Sequence, residues 1–188
     1  YKDKAYTIRL VVYDDAGHEA EETVSVFVDN TKPIVEIRQP SSFDFVKARF
    51  PVVVYVGDQN LDVTHLYVNS DVVASWNSNG LHEFEWNTTM WNDGNYTIKF
   101  VTSDKAGNSA QTTVKVTVDN TLPDAVIVFP TNGSLLAGDI SVTLVFDDEN
   151  LDEVILKMDE ESIPIQGNNT YLLHSGDLED GRHILLLE

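Results

Sequence analysis

The run Val28-Asp29-Asn30-Thr31-Lys32-Pro33 recurs as Val118-Asp119-Asn120-Thr121-Leu122-Pro123. A repeat at this spacing constrains the fold more than any local pattern, because each copy must be one structural unit and the units must follow one another in a fixed register. The match extends beyond the linker: Tyr6-Thr7-Ile8 recurs as Tyr96-Thr97-Ile98, and Asp14, Ala16 and Gly17 as Asp104, Ala106 and Gly107. Roughly half of residues 1–33 are identical to 91–123, at a constant offset of about 90. Asp58-Gln59-Asn60-Leu61-Asp62 corresponds to Asp148-Glu149-Asn150-Leu151-Asp152, and Pro40 to Pro130; the register slips only where Asp93-Gly94 meets Asp180-Gly181. Residues 1–33 therefore read as the last two strands of one module, 34–123 as a complete module, and 124–188 as a module lacking its last strand. A chain that opens on Tyr1 and ends in mid-strand reads as a piece of a longer polypeptide.

Within each copy the apolar period is two. Tyr96, Ile98 and Phe100 alternate with Thr97 and Lys99, and Val114, Val116 and Val118 with Thr113, Lys115 and Thr117. Ile140, Val142, Leu144 and Phe146 repeat the pattern. One apolar and one polar face is the mark of a half-buried antiparallel strand. The spacing predicts strands near 34–38, 50–56, 63–69, 72–75, 81–86, 95–103 and 111–118, with no helix of useful length. About seven short strands in about 90 residues give an all-β class of tandem immunoglobulin-like antiparallel sandwiches. Tyr96, three residues after Asp93, stands where a tyrosine corner forms in such sandwiches, its hydroxyl bonding nearby backbone. Tyr6 follows Asp3 in the same way, whereas the third copy has His183 there, which puts its corner in question. Gly107, in the turn Asp104-Lys105-Ala106-Gly107-Asn108, is suited to positive φ.

Trp86-Asn87-Thr88-Thr89, Asp93-Gly94-Asn95-Tyr96-Thr97, the Asp104 turn and the Val118–Pro123 linker together resemble the bacterial and archaeal Ig-like repeats of large surface and secreted proteins. The resemblance covers the middle module and the matching parts of its neighbours. It implies a setting in adhesins, surface-layer and stalk proteins, or accessory modules of secreted hydrolases, and does not choose among them.

Charge narrows the partners. The chain carries 31 acidic and 12 basic residues, a net charge of −19, which argues against nucleic acid and against anionic membrane surfaces. There is no cysteine, hence no disulfide framework, and no apolar run is long enough to span a bilayer.

The constellation that suggests chemistry lies at the module junctions. In this topology the incoming linker, the loop between the second and third strands and the turn between the last two strands share one end of the sandwich. Asp29 and Asn30 are thus expected to approach Asp58, Asn60 and Asp62, with Asp104 and Asn108 close by. The next junction gathers Asp119 and Asn120 with Asp147, Asp148, Asn150 and Asp152. Convergent carboxylate and amide oxygens suit Ca²⁺, which takes six to eight oxygen ligands. The competing explanation is structural, since Asp and Asn side chains also bond their own turns. The Gly and distal Glu of an EF-hand loop are absent from this spacing.

Sequons at Asn87, Asn95, Asn132 and Asn168 mark candidate glycosylation sites. Trp86 and Trp91 are expected to pack; Trp76, beside Asn77-Ser78-Asn79-Gly80, is the best exposed candidate for stacking on a sugar. No nucleophile elbow, zinc-binding His pair or phosphate-binding glycine loop is present. The expectation is a non-enzymatic structural segment of an extracellular or cell-surface protein: a stalk, surface-layer or fibre spacer that calcium stiffens at its junctions. Its partners are neighbouring modules of the same chain and, in a lattice or fibre, copies of itself. The alternative is an adhesive or carbohydrate-binding accessory segment, for which the differing Ser70–Gly80 stretch of the middle module speaks.

Overall fold

The computed structural model describes residues 2–165 and 169–188, and divides into two compact units, Tyr1–Asn120 and Thr121–Glu188. The first unit opens with a hairpin of β1 (Lys4–Tyr13) and β2 (Glu19–Val28), paired antiparallel from Lys4 opposite Val28 to Tyr13 opposite Glu19. The middle module follows: β3 (Ile34–Gln39), β4 (Phe45–Val46), β5 (Arg49–Gly57), β6 (Leu61–Val68), β7 (Asp71–Trp76), β8 (Gly80–Asn87), β9 (Gly94–Asp104) and β10 (Ser109–Val118). One sheet has the order β3-β5-β8 and the other β4-β10-β9-β6-β7. The seven strands expected from alternation are all present. The two-residue β4 was not anticipated: it pairs parallel to Thr117 and Val118 of β10 and is too short to show a period.

The repeat is a structural register as well as a sequence match. β9 pairs with β10 from Gly94 opposite Val118 to Ser103 opposite Ser109, ten pairs that reproduce the β1–β2 ladder residue for residue. In the middle module the apolar face of this ladder meets the other sheet. Val52, Val54, Val56, Leu66, Val68, Ile98, Phe100 and Val118 are 0% exposed, and Trp86 is 1% exposed. Burying one such side chain is worth about 1.5–3 kcal/mol, so this layer is what holds the two sheets together. The equivalent face of the hairpin, with Ile8, Leu10, Val12 and Val24, is exposed.

The second unit repeats the scheme. It contains β11 (Asp124–Phe129), β12 (Asp139–Asp147), β13 (Leu156–Met158), β14 (Glu161–Ile163), β15 (Thr170–His174) and β16 (Leu185–Leu187). These form sheets β11-β12-β15 and β14-β13-β16 around Ile140, Val142, Leu144, Leu156, Met158 and Leu173. Among the described residues helix is confined to two three-residue 3-10 turns, and no helix is long and apolar enough to cross a membrane.

The tyrosine corner forms twice. The Tyr96 hydroxyl donates to the Asn92 carbonyl at 2.9 Å, and the Tyr6 hydroxyl to the Lys2 carbonyl at 3.0 Å. In the second unit His183 keeps the same reach, its Nε2 lying 2.8 Å from the Glu179 carbonyl, again four residues back. The corner that the substitution put in question is therefore present in imidazole form.

Candidate metal centre

The turn between β9 and β10 is built on Asp104. Its Oδ1 accepts from the Ala106 and Asn108 backbone N–H groups at 2.9 and 2.8 Å, and its Oδ2 from Asn108 Nδ2 at 2.7 Å. Gly107 closes the turn at φ 93°. Burial pushes this carboxyl up. The side-chain and backbone hydrogen bonds from Asn108, with those from Ala106 and Gly107, outweigh that and hold it below the usual carboxylate range. Asp14 repeats the turn in the hairpin, with Oδ1 bound by the Ala16 and His18 N–H groups and Oδ2 facing His18 Nδ1.

At the first junction the linker enters this same corner. Asn60 Nδ2 donates to Asp29 Oδ2 at 2.6 Å, and Asn108 Nδ2 reaches the Asp29 carbonyl at 3.2 Å. Asp58 orders its own loop, accepting the Asn60 N–H at 2.6 Å, and its N–H and carbonyl are bonded by the Asn79 side chain. One carboxylate oxygen each from Asp29, Asp58 and Asp104 lies within 4.8 Å of the others. With Ca–O bonds of about 2.3–2.6 Å, oxygens on opposite sides of one calcium ion stand roughly 4.6–5.2 Å apart, so the separation fits that ion. The Asn60 and Asn108 amides border the three carboxylates with their Nδ2 donors turned toward them, and the Asp29 carbonyl accepts from Asn108.

Not every expected residue joins the cluster. Asn30 is held elsewhere: its N–H and Nδ2 both donate to Asp3 Oδ1, at 2.9 and 3.0 Å. Asp3 also accepts from the Thr31 hydroxyl, and these bonds, Thr31's first, hold its carboxyl below the usual range. Asp62 sits at the register bulge between Leu61 and Val63, is exposed, and stands outside the carboxylate group. Asn120, equivalent to Asn30, is tied into its own module: its N–H bonds Asp93 Oδ1, and its side chain bonds Ala48 and Thr88. The Asp119 N–H donates to the Val46 carbonyl at 3.1 Å. In the second unit Asp148 accepts the Asn150 N–H at 2.7 Å, repeating the Asp58–Asn60 bond, while Asp152 is exposed. Asp3 and Asp93 were missed as anchors of the linker; their recurrence alongside Asn30 and Asn120 was the signal that could have found them.

The other candidate residues are placed as follows. Asn87 ends β8 and accepts the Thr89 hydroxyl at 2.8 Å. Asn95 is the second residue of β9 and accepts the Thr117 hydroxyl at 3.0 Å. Asn132 is exposed after β11, and Asn168 lies outside the described residues. Trp76 is half-buried, its ring stacked on Phe100 and His82 with centroids 6.2 and 5.3 Å away, so it packs instead of forming an open platform. Trp86, Trp91 and Tyr96 form an edge-to-face triangle at 5.5–5.8 Å. The Trp86 indole N–H has no hydrogen-bond acceptor among the described residues.

The family model of the bacterial Ig-like domain matches residues 51–120. No curated protein matches the sequence. Among solved structures, the N-terminal eight Ig domains of Down Syndrome Cell Adhesion Molecule align over 99% of this chain and 31% of theirs, at 14% identity and a TM-score of 0.51. The fibronectin(III)-like modules of Clostridium thermocellum CbhA align over 82% of this chain and 84% of theirs, at 16% identity and a TM-score of 0.48. The endo-beta-1,4-mannanase from Thermotoga petrophila aligns over 50% of this chain and 21% of its own, at 17% identity and a TM-score of 0.42. At such identities the likeness is one of fold, and the chain spans well under two thirds of the adhesion molecule and the mannanase.

Proposed function

We propose that this chain, whose residues 51–120 match the bacterial Ig-like domain, is a non-enzymatic spacer segment of an extracellular or cell-surface protein, stiffened by calcium where the linker at Asp29 meets the middle module. The observation that carries the reading is the capture of Asp29. A linker residue is hydrogen-bonded by Asn60 and Asn108 from two loops of the next module, while Pro33 restricts the backbone that follows. The short linker is thus an interface. Three carboxylates so close repel one another, and a divalent cation bound between them converts that repulsion into a cross-link between linker and loops. Asp29, Asp58 and Asp104 are the residues that would hold it.

Extracellular modules bind Ca²⁺ with Kd on the order of 0.1–1 mM, so about 10 mM Ca²⁺ stabilises the folded chain by roughly 1.4–2.7 kcal/mol. Thermal melts in calcium and in EDTA test this. The expected result is a higher Tm in calcium, and Asp58→Asn removes the difference. Superimposable wild-type curves would dispose of the calcium. The adhesive alternative draws on β7, which has six residues where β14 has three. Binding of this chain on a glycan array would favour it.

A further inference from the structure

We infer that the outer face of β6, β9 and β10 is a contact surface for a second copy of this chain, which meets it with its acidic residues 121–188. This face carries none of the chain's abundant acids. Strand alternation aims Thr97, Lys99 and Val101 of β9 and Gln111, Thr113 and Lys115 of β10 away from the core. His65 and Tyr67 of β6 share that face. From these two residues across 95–103 to 109–117, every outward position is neutral or basic, on a chain with 31 acidic residues. The opposite sheet does otherwise, pairing Arg38 with Glu36 and Arg49 with Glu85.

The repeat supplies an internal control. In the hairpin, Arg9 stands where β9 has Lys99, and it is neutralised by Glu21 at 2.6 Å and Glu19 at 3.7 Å. At the corresponding positions β10 has Gln111 and Ser109. The same ladder has thus kept its cation and lost both counter-charges. Among the described residues neither Lys99 nor Lys115 takes part in an ion pair. Lys99 Nζ stands 4.5 Å from the centroid of the Tyr67 ring, which leaves the ammonium near the surface and covers the ring. A covered ring is poorly placed for sugar stacking, while an ammonium without a carboxylate is well placed for an anion.

The complementary charge is carried by the second unit. Residues 121–188 hold fourteen acidic side chains against two basic ones, Lys157 and Arg182. At about 0.15 M salt the Debye length is about 8 Å, so the general repulsion between two acidic chains is screened while facing charges still attract. This contact rests on the spacer reading, since it joins parallel spacers side by side. The rigidity of one chain is measured without it, so the two can fail separately.

Sedimentation equilibrium of the full chain at about 0.15 M NaCl with EDTA tests it. The expected result is concentration-dependent association. Lys99→Glu with Lys115→Glu weakens it by at least roughly tenfold, whereas Lys47→Glu with Lys105→Glu, an equal change in net charge, shifts it by less than about threefold. Unchanged tryptophan fluorescence establishes that both variants fold. A monomer at all concentrations overturns the inference, as does equal weakening by the two pairs. So does a chain that binds polygalacturonate through Lys99 and Lys115 without self-association.

Discussion

Asn120 has the residue type of a metal ligand and the position of a clamp. Its Oδ1 accepts from the Ala48 N–H and the Thr88 hydroxyl, both at 3.0 Å, and its Nδ2 donates to the Thr88 carbonyl at 3.2 Å. Thr88 is 0% exposed, so removing the amide takes away bonds made out of water, although the Thr88 hydroxyl still reaches the Ala48 carbonyl and the Thr88 carbonyl still accepts the Trp91 N–H, both at 2.9 Å. We predict that Asn120→Ala destabilises the middle module by about 1–3 kcal/mol. Asn30, whose side chain bonds the exposed Asp3, costs under about 0.5 kcal/mol when replaced by Ala. Urea unfolding followed by tryptophan fluorescence reads this cleanly, because Trp76, Trp86 and Trp91 all lie in that module. Equal effects at the two positions would contradict the assignment.

Between elements, the His183 corner makes the second unit sensitive to pH. Nε2 faces a carbonyl and Nδ1 faces Asp159 at 2.5 Å; both partners only accept, so the imidazolium alone satisfies both. The hydrogen bond to Asp159, then that to Glu179, raises the His183 pKa above its ordinary 6.5, and His183 lowers that of Asp159 below 3.8. The histidine's contribution is complete below pH 6.5 and is lost as pH rises through the raised value. The aspartate's is present above pH 3.8 and is lost as pH falls through the lowered one. The second unit is therefore less stable at pH 8.5 than at pH 6, and His183→Tyr, which keeps the corner bond, reduces that difference to the part contributed by His174, whose pKa the hydrogen bond to Asp139 also raises. The methyl resonance of Met158, buried in that core, follows its unfolding. An unaltered pH dependence in His183→Tyr would count against the account. This corner also marks how far sequence reached. Alternation located seven strands because half-burial writes itself into a period of two. β4 left no trace, because two residues have no period. The Asp29–Asp58–Asp104 convergence followed from topology, since three loops must share one end of the sandwich. The exclusion of Asn30 did not, because a competing acceptor, Asp3, lies 27 residues away. Exposure of Trp76 was misjudged for a related reason: its polar neighbours in sequence say nothing of Phe100 beneath it.

At the scale of the molecule, geometry is the proposed product. The repeat gives modules of one design, and the junction at Asp29 turns a short linker into a hydrogen-bonded interface. The most direct test is the distance distribution between nitroxide labels on the two sides of that junction. The chain has no cysteine, so Ser25→Cys on β2 and Glu83→Cys on β8, both exposed, label without further changes. The account predicts a single narrow distribution by double electron–electron resonance, which Asp29→Ala broadens. A broad distribution in the otherwise unaltered chain, in calcium as in EDTA, would contradict it.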